Sequence, residues 1–242
     1  VEQEMAVIRG ESGRLLYEAK RDAFSTDEEV EEIFNRVVTY VGGDYFLMLS
    51  DSTRVWLNAA SELMYPDHFS ADQRKVVLKG EAYFEVAKDA ERPFSVVLGD
   101  MEVKVLGTSF NVSAYPGVKR QTTLIEGQVA VNWHRQQVVI RPGQQAVETD
   151  EGLRVASVNV MNYVGWKEHR FVYENKLLGE VLEDLERWYD VEVFVMHDEI
   201  RNLHLTANLP RYENMDKVLE IIEYAACVKF EVKGRTVVVR RD

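Results

Sequence analysis

Five histidines, His68, His134, His169, His197 and His204, are the side chains best suited to proton transfer near neutral pH or to holding a metal. None stands at HxH, HxxxH or HExxH spacing, the patterns that put two imidazoles on one side of a strand or helix. Each reads as a surface or loop residue. Gly107-Thr108-Ser109-Phe110-Asn111 offers hydroxyls after a glycine, but the GxSxG frame is missing and an apolar strand follows where a nucleophile elbow needs a helix. No GxxxxGK[ST] or GxGxxG segment is present to cradle a phosphate. Among 41 carboxylates, no pair is singled out as facing across a cleft, the arrangement that glycoside cleavage requires. The expectation is a non-enzyme with no catalytic residue, metal or cofactor. Trp56, Tyr65, Tyr83, Phe84 and Trp133 lie in strand-like runs and read as core or cross-strand partners, with a sugar-stacking platform as the rival reading.

Charge narrows the partners. In 242 residues, 29 Lys and Arg stand against 41 Asp and Glu, a net charge of −12, with no basic block. Phosphate binding rests on clustered cations, so nucleic acid is not an expected partner. Half of the excess lies in residues 1–50, which carry 5 basic and 11 acidic side chains. The apolar fraction of 46% is enough for a real core, and the length fits one large or two small domains. Cys227 stands alone beside Ala225, Ala226 and Val228, which excludes an internal disulfide framework and predicts a small buried residue. The chain opens on Val1 without a cationic or apolar leader and has no run of about 18 apolar residues. It is read as the soluble piece of a longer protein.

The elements that would carry a site fall into three segments. Residues 1–44 combine short strands with acidic Ser25 to Phe34, a helix or an acidic loop. Residues 45–160 alternate apolar and polar side chains between turn signals at Asp51-Ser52, Gly80, Gly99-Asp100, Gly107, Pro116-Gly117, Gly127, Pro142-Gly143 and Gly152. That pattern predicts a mainly β domain of antiparallel strands, with sandwich, barrel and stacked sheet left open. From residue 166 to 242 the period lengthens. Leu177, Val181, Leu185 and Trp188 form one helical stripe, and Met215, Val218, Leu219 and Ile222 a second, each flanked by short strands. An offset of 37 residues lays Val181-Leu182-Glu183 on Val218-Leu219-Glu220, Glu186 on Glu223 and Val193 on Phe230. A small α/β domain of duplicated βαβ units is expected.

Several segments resemble the FecR family of anti-sigma regulators: Asp51-Ser52-Thr53-Arg54-Val55-Trp56-Leu57-Asn58-Ala59-Ala60-Ser61, Lys79-Gly80-Glu81-Ala82-Tyr83-Phe84-Glu85-Val86, Val103 to Val112, Glu126 to Val131 and Arg141 to Ala146. The stretch from Trp166 to Val193 resembles that family's C-terminal domain as found in Bacteroides-type bacteria, which is similar to the short signalling domain of secretins and TonB-dependent transporters. The resemblance implies a plan in which a cytoplasmic segment, absent here, binds an extracytoplasmic-function (ECF) sigma factor, one helix anchors the full-length protein in the inner membrane, and the periplasmic part receives a signal. The implied partner is the N-terminal signalling domain of an outer-membrane TonB-dependent transporter. Asp51-Ser52 stands where relatives often have Asp-Gly. Gly80, Gly107, Gly127 and Gly143 are expected at strand ends, with Trp56, Phe84 and Phe110 packed between sheets.

Docking by strand addition needs an exposed sheet edge. The last strand, Thr236, Val237, Val238, Val239 and Arg240, is the candidate partner-binding edge, with an internal position in the sheet as its rival. A periplasmic carbohydrate-binding or cell-surface β module built on Trp56 or Trp133 is the alternative function.

Overall fold

An alternating strand buries one face only if a second layer covers it, and in the unit Val1–Val160 two sheets do this for each other. The structure, a computed structural model, describes residues 5–10, 13–21, 33–211 and 214–242. In chain order the strands of this unit are β1 (Met5–Gly10), β2 (Gly13–Arg21), β3 (Ile33–Thr39), β4 (Tyr45–Met48), β5 (Arg54–Leu57), β6 (Ser61–Pro66), β7 (Arg74–Glu85) and β8 (Phe94–Leu98). There follow β9 (Met101–Val105), β10 (Ser109–Ala114), β11 (Gln121–Glu126), β12 (Val129–Trp133), β13 (Gln136–Ile140), β14 (Gln144–Thr149) and β15 (Gly152–Ser157). One sheet runs β1-β2-β3-β6-β7-β8-β9-β12-β13 and the other β4-β5-β7-β10-β11-β14-β15. Among the described strands of this unit, only β7 and β8 pair in parallel.

Strand β7 belongs to both sheets. Its first half pairs with β6 (Met64↔Val77, Leu63↔Leu78) and its second with β5 and β10 (Val55↔Phe84, Phe110↔Phe84). Between the halves sits Gly80 at φ +89, where an added Cβ would lie 2.3 Å from Ser61 Oγ. A side chain is excluded there by both conformation and space. Gly80 is therefore inside a strand, not at its end as the turn spacing predicted. The core between the layers holds Leu63, Leu78, Val96 and Val103 from one sheet and Val55, Leu57, Phe84, Phe110 and Leu124 from the other, all essentially buried. Phe84 stacks on Phe110 at 5.2 Å and meets Phe94 of the facing sheet at 6.0 Å. Each such residue contributes about 1.5–3 kcal/mol relative to exposure.

Two arginines pin the ends of this unit. Arg74, fully buried, donates to Asp51 Oδ2 (2.8 Å), Ala87 O (2.9 Å) and Arg92 O (2.8 Å) and lies over the Phe94 ring. Arg120 joins Glu148 (2.7 Å) to Asp100 and the carbonyl of Leu98 (2.6 Å), and Trp133 Nε1 donates to Asp100 at 3.0 Å. Strand β3 pairs with β6 over Phe34–Thr39 and β2 with β3, so the first sheet runs through the expected boundary. The helix considered from Ser25 is corrected at its end, because Ile33 and Phe34 open β3; the rest of it lies outside the described residues.

The unit Met161–Asp242 is a smaller α/β body. After α1 (Met161–Val164) come β16 (Arg170–Leu177), α2 (Leu178–Tyr189), β17 (Glu192–Val195), β18 (His204–Pro210), α3 (Met215–Ala226), β19 (Val228–Lys233) and β20 (Thr236–Arg241). Helix α2 buries Leu178, Val181, Leu182 and Leu185, and α3 buries Val218, Leu219 and Ile222, the stripes expected from spacing. Asn214 caps α3 by accepting the Asp216 N–H at 2.8 Å. Both helices end on a left-handed residue, Asp190 at φ 56 and Cys227 at φ 52. Cys227 is exposed, not buried, because that terminal turn projects it away from the core.

The strand-helix-strand order occurs twice, but neither is a βαβ crossover within one sheet. Strands β16 and β18 pair antiparallel in a sheet of their own, while β17 and β19 flank β20 in a second sheet ordered β17-β20-β19. Helix and strand lengths match the expected pattern, yet each helix connects one sheet to the other.

Candidate protein-binding site

The signature segments converge where β7 changes sheets. Glu81, next to Gly80, accepts Asn58 Nδ2 at 2.7 Å and Asn111 Nδ2 at 2.9 Å, and its own N–H donates to Ser61 Oγ at 2.9 Å. Thr39 Oγ1 receives the Ser61 N–H (3.0 Å), and Tyr115 donates to Ala59 O (2.8 Å). Asn58, Ser61 and Asn111 are buried, so these bonds replace water that the fold has removed. Gly107 (φ +148) leaves no room for a Cβ against Lys88, and Thr108 Oγ1 donates to Gln128 O at 3.1 Å. The motif residues thus build a sheet corner. Ser52 adopts φ 69 in a turn closed by its N–H on Leu49 O (2.9 Å). A left-handed position of this kind favours glycine, and here a serine holds it.

Of the aromatics expected as core or cross-strand partners, with a sugar platform as the rival reading, Trp56 and Tyr83 stand together while Trp133 lies on a strand of the other sheet. Trp56 points to the opposite face of its sheet from Val55 and Leu57, in a row with Phe46 (4.8 Å between rings) and Tyr83 (5.6 Å), which corrects the expectation that it packs between sheets. Trp133, on β12, packs against the core. Among the described residues no group of three or more His, Cys, Asp or Glu is placed to hold a metal ion, and no helix is long and apolar enough to cross a membrane.

The expected edge at Thr236, Val237, Val238, Val239 and Arg240 is corrected by topology. Strand β20 is the middle of three, parallel to β17 (Val193↔Val237, Val195↔Val239) and antiparallel to β19 (Phe230↔Val239, Val232↔Val237). Both of its hydrogen-bonding sides are taken, Val237 and Val239 are buried, and strand addition there is closed. The sequence could not reveal this, because its last strand pairs with a segment some forty residues earlier as well as with its hairpin neighbour.

Among the described residues, β17 and β19 are the outer strands of this sheet, each paired on one side. Glu192 and Met196 direct their N–H groups at β20 (2.8 Å to Arg235 O, 2.9 Å to Val239 O), so by strand alternation Val193 and Val195 direct theirs outward. Glu186 at the end of α2 takes the Val193 N–H at 2.7 Å, and Glu223 at the end of α3 takes the Phe230 N–H at 2.7 Å. Each edge therefore carries one carboxylate plug. On the outward face of β17, Phe194 and Met196 are 56% and 61% exposed.

Two family models match. The FecR protein model covers residues 35–130 and the FecR C-terminal model covers residues 170–239. The chain belongs to the FecR family. The two models fall one in each unit, so the β unit corresponds to the FecR domain and the α/β unit to its C-terminal companion. Two crystal structures of a candidate anti-sigma factor from Parabacteroides distasonis ATCC 8503, at 1.65 Å and 2.50 Å resolution, superpose with a TM-score of 0.80 at 25% identity. They match 86% of this FecR chain and 99% of the solved one, so the likeness spans both units. No curated protein matched the sequence.

Proposed function

We propose that this FecR-family chain is the periplasmic sensing portion of a membrane-anchored anti-sigma factor, acting by protein binding and not by catalysis. The single observation that carries this reading is the joint presence of the FecR and FecR C-terminal domains in one chain whose fold matches an anti-sigma factor structure across both. The α/β unit receives the N-terminal signalling domain of an outer-membrane TonB-dependent transporter. The β unit passes that event toward the membrane, and an ECF sigma factor is released or activated by a cytoplasmic segment outside this chain. The fold supports a relay because its polar corner around Glu81 and the Arg74 and Arg120 clamps make the β unit stiff, whereas the α/β unit presents open strand edges.

Isothermal titration of the chain with the purified N-terminal signalling domains of TonB-dependent transporters from the same organism tests this. Saturable one-to-one binding is expected. Absence of binding, together with glycan binding lost on Trp56→Ala, would replace the relay with a carbohydrate-binding module.

A further inference from the structure

Of the two open edges in the three-stranded sheet, only one is built like a docking strand. Strand β19 is guarded by charge: Lys229 pairs with Glu223 (3.5 Å) and Lys233 with Glu231 (2.6 Å). Such lysines are a common defence against edge-to-edge pairing. Strand β17, Glu192-Val193-Phe194-Val195, has no lysine, proline or bulge. Its outer face carries Phe194 and Met196, with partly buried Val238 across from Phe194 on β20. An added strand laid along β17 would continue that apolar row and cover it.

The charge around β17 selects the occupant. Asp190 and Glu199, at its two ends, are neutralised by Arg235 and Arg241 (2.5 Å and 3.0 Å). Glu186, at the edge itself, Glu192 on the strand and Asp198 just beyond it outnumber the one cation on the neighbouring strand, Arg240, which the register sets beside Met196, and leave the edge net acidic. A second copy of this chain pairing through β17 would bring two such acidic edges within strand spacing of about 4.8 Å, where like charges are destabilising. An extended segment that alternates apolar residues with Lys or Arg has the opposite character. Its apolar side chains meet Phe194 and Met196, its cations meet Glu192 and Asp198, and its carbonyl competes with Glu186 for the Val193 N–H.

We propose that the outer edge of β17 is the docking strand for a partner protein, which adds a basic and apolar extended segment across Phe194 and Met196. The proposal rests on the relay reading for the identity of the partner and adds the surface and the chemistry of the segment. Two probes separate the two claims: the transporter signalling domain, and a capped nine-residue peptide alternating Lys and Val, each titrated into 15N-labelled chain. Amide shifts centred on Val193, Phe194 and Val195 are expected from both, and the same peptide with Glu in place of Lys should bind at least tenfold more weakly. Phe194→Lys, an exposed change that leaves the fold intact, and Val195→Pro, which removes an outward N–H, should each weaken both interactions at least tenfold. Val232→Pro on β19 should leave them within twofold. If the transporter domain binds wild type and Phe194→Lys equally, the β17 proposal is overturned while the relay stands. If that domain does not bind at all, the relay fails, and the peptide decides the edge: β17 shifts abolished by Phe194→Lys support it, and no shifts overturn it. Shifts at β17 that follow protein concentration alone assign the edge to a second copy and overturn the basic partner.

Discussion

Glu186 and Glu223, 37 residues apart, do the same work: each sits in the last turn of its helix and accepts the backbone N–H seven residues on, that of Val193 or Phe230, at 2.7 Å. Each bond bridges a left-handed helix end, at Asp190 or Cys227, and ties the helix to an outer strand of the same three-stranded sheet. Truncating either carboxylate leaves an edge donor without its partner and loosens the helix end. Glu186→Ala and Glu223→Ala are each expected to cost about 1–3 kcal/mol, while Gln, which keeps an acceptor oxygen, should restore at least half. Urea unfolding of the variants, with amide exchange at Val193 and Phe230 as the local readout, checks this.

The buried guanidinium of Arg74 makes a second prediction. Arg74→Met would strand the Asp51 carboxylate, whose side chain is only 6% exposed, without its cation. Breaking one half of a buried pair costs on the order of 3–5 kcal/mol. Adding Asp51→Asn to Arg74→Met should recover part of the loss, because the remaining group no longer carries charge, and a double-mutant cycle of urea midpoints measures the coupling. Equal losses in the single and double variants would show that packing on Phe94, and not the ion pair, holds this corner.

Arg120 predicts an acid response. Its hydrogen bond is the main cause that holds Glu148 below its ordinary 4.5, and also the main cause that holds Asp100 below its ordinary 3.8. Carboxylates depressed in the folded state stabilise it above their unfolded values and lose that contribution as pH falls through the folded ones. Stability of the β unit should therefore decline as the pH drops from about 4.5 downward. Arg120→Met should be less stable at neutral pH by about 2 kcal/mol and show a shallower acid decline. Denaturant midpoints at a series of pH values, read by amide signals of the β unit, distinguish the two profiles.

Much of this architecture is legible in the sequence. The turn residues from Asp51 to Gly152 and the period-two runs between them marked the β unit, and the stripes at Val181 and Val218 marked both helices within a residue or two. These signals are local: alternation and helical spacing reflect which face a residue buries. What stayed hidden is non-local. Pairing of Thr236 to Arg240 with Glu192 to Val195 depends on which strand arrives beside which, and no period records that. Gly80 looked like a turn because its φ of +89 is indeed turn-like, but the chain there is crossing from one sheet to the other. The equivalence of Glu186 and Glu223 was visible as a repeat, while their role as edge acceptors required the strand order.

That crossing gives its own test. Gly80→Ala forces a Cβ into Ser61 and a disfavoured backbone angle together. A loss well above about 1 kcal/mol is expected, larger than for Gly117→Ala, where φ is +78 but nothing lies within 4 Å of the added carbon. Comparing thermal midpoints of the two variants separates the cost of backbone angle from the cost of crowding.

The proposed relay is tested most directly in cells carrying the full-length protein and a reporter for the sigma factor it is proposed to control. Reporter output should rise when the transporter's substrate is supplied, and that rise should vanish when the transporter's N-terminal signalling domain is deleted, with protein levels unchanged. A response that survives deletion of that domain would contradict signal reception from the transporter.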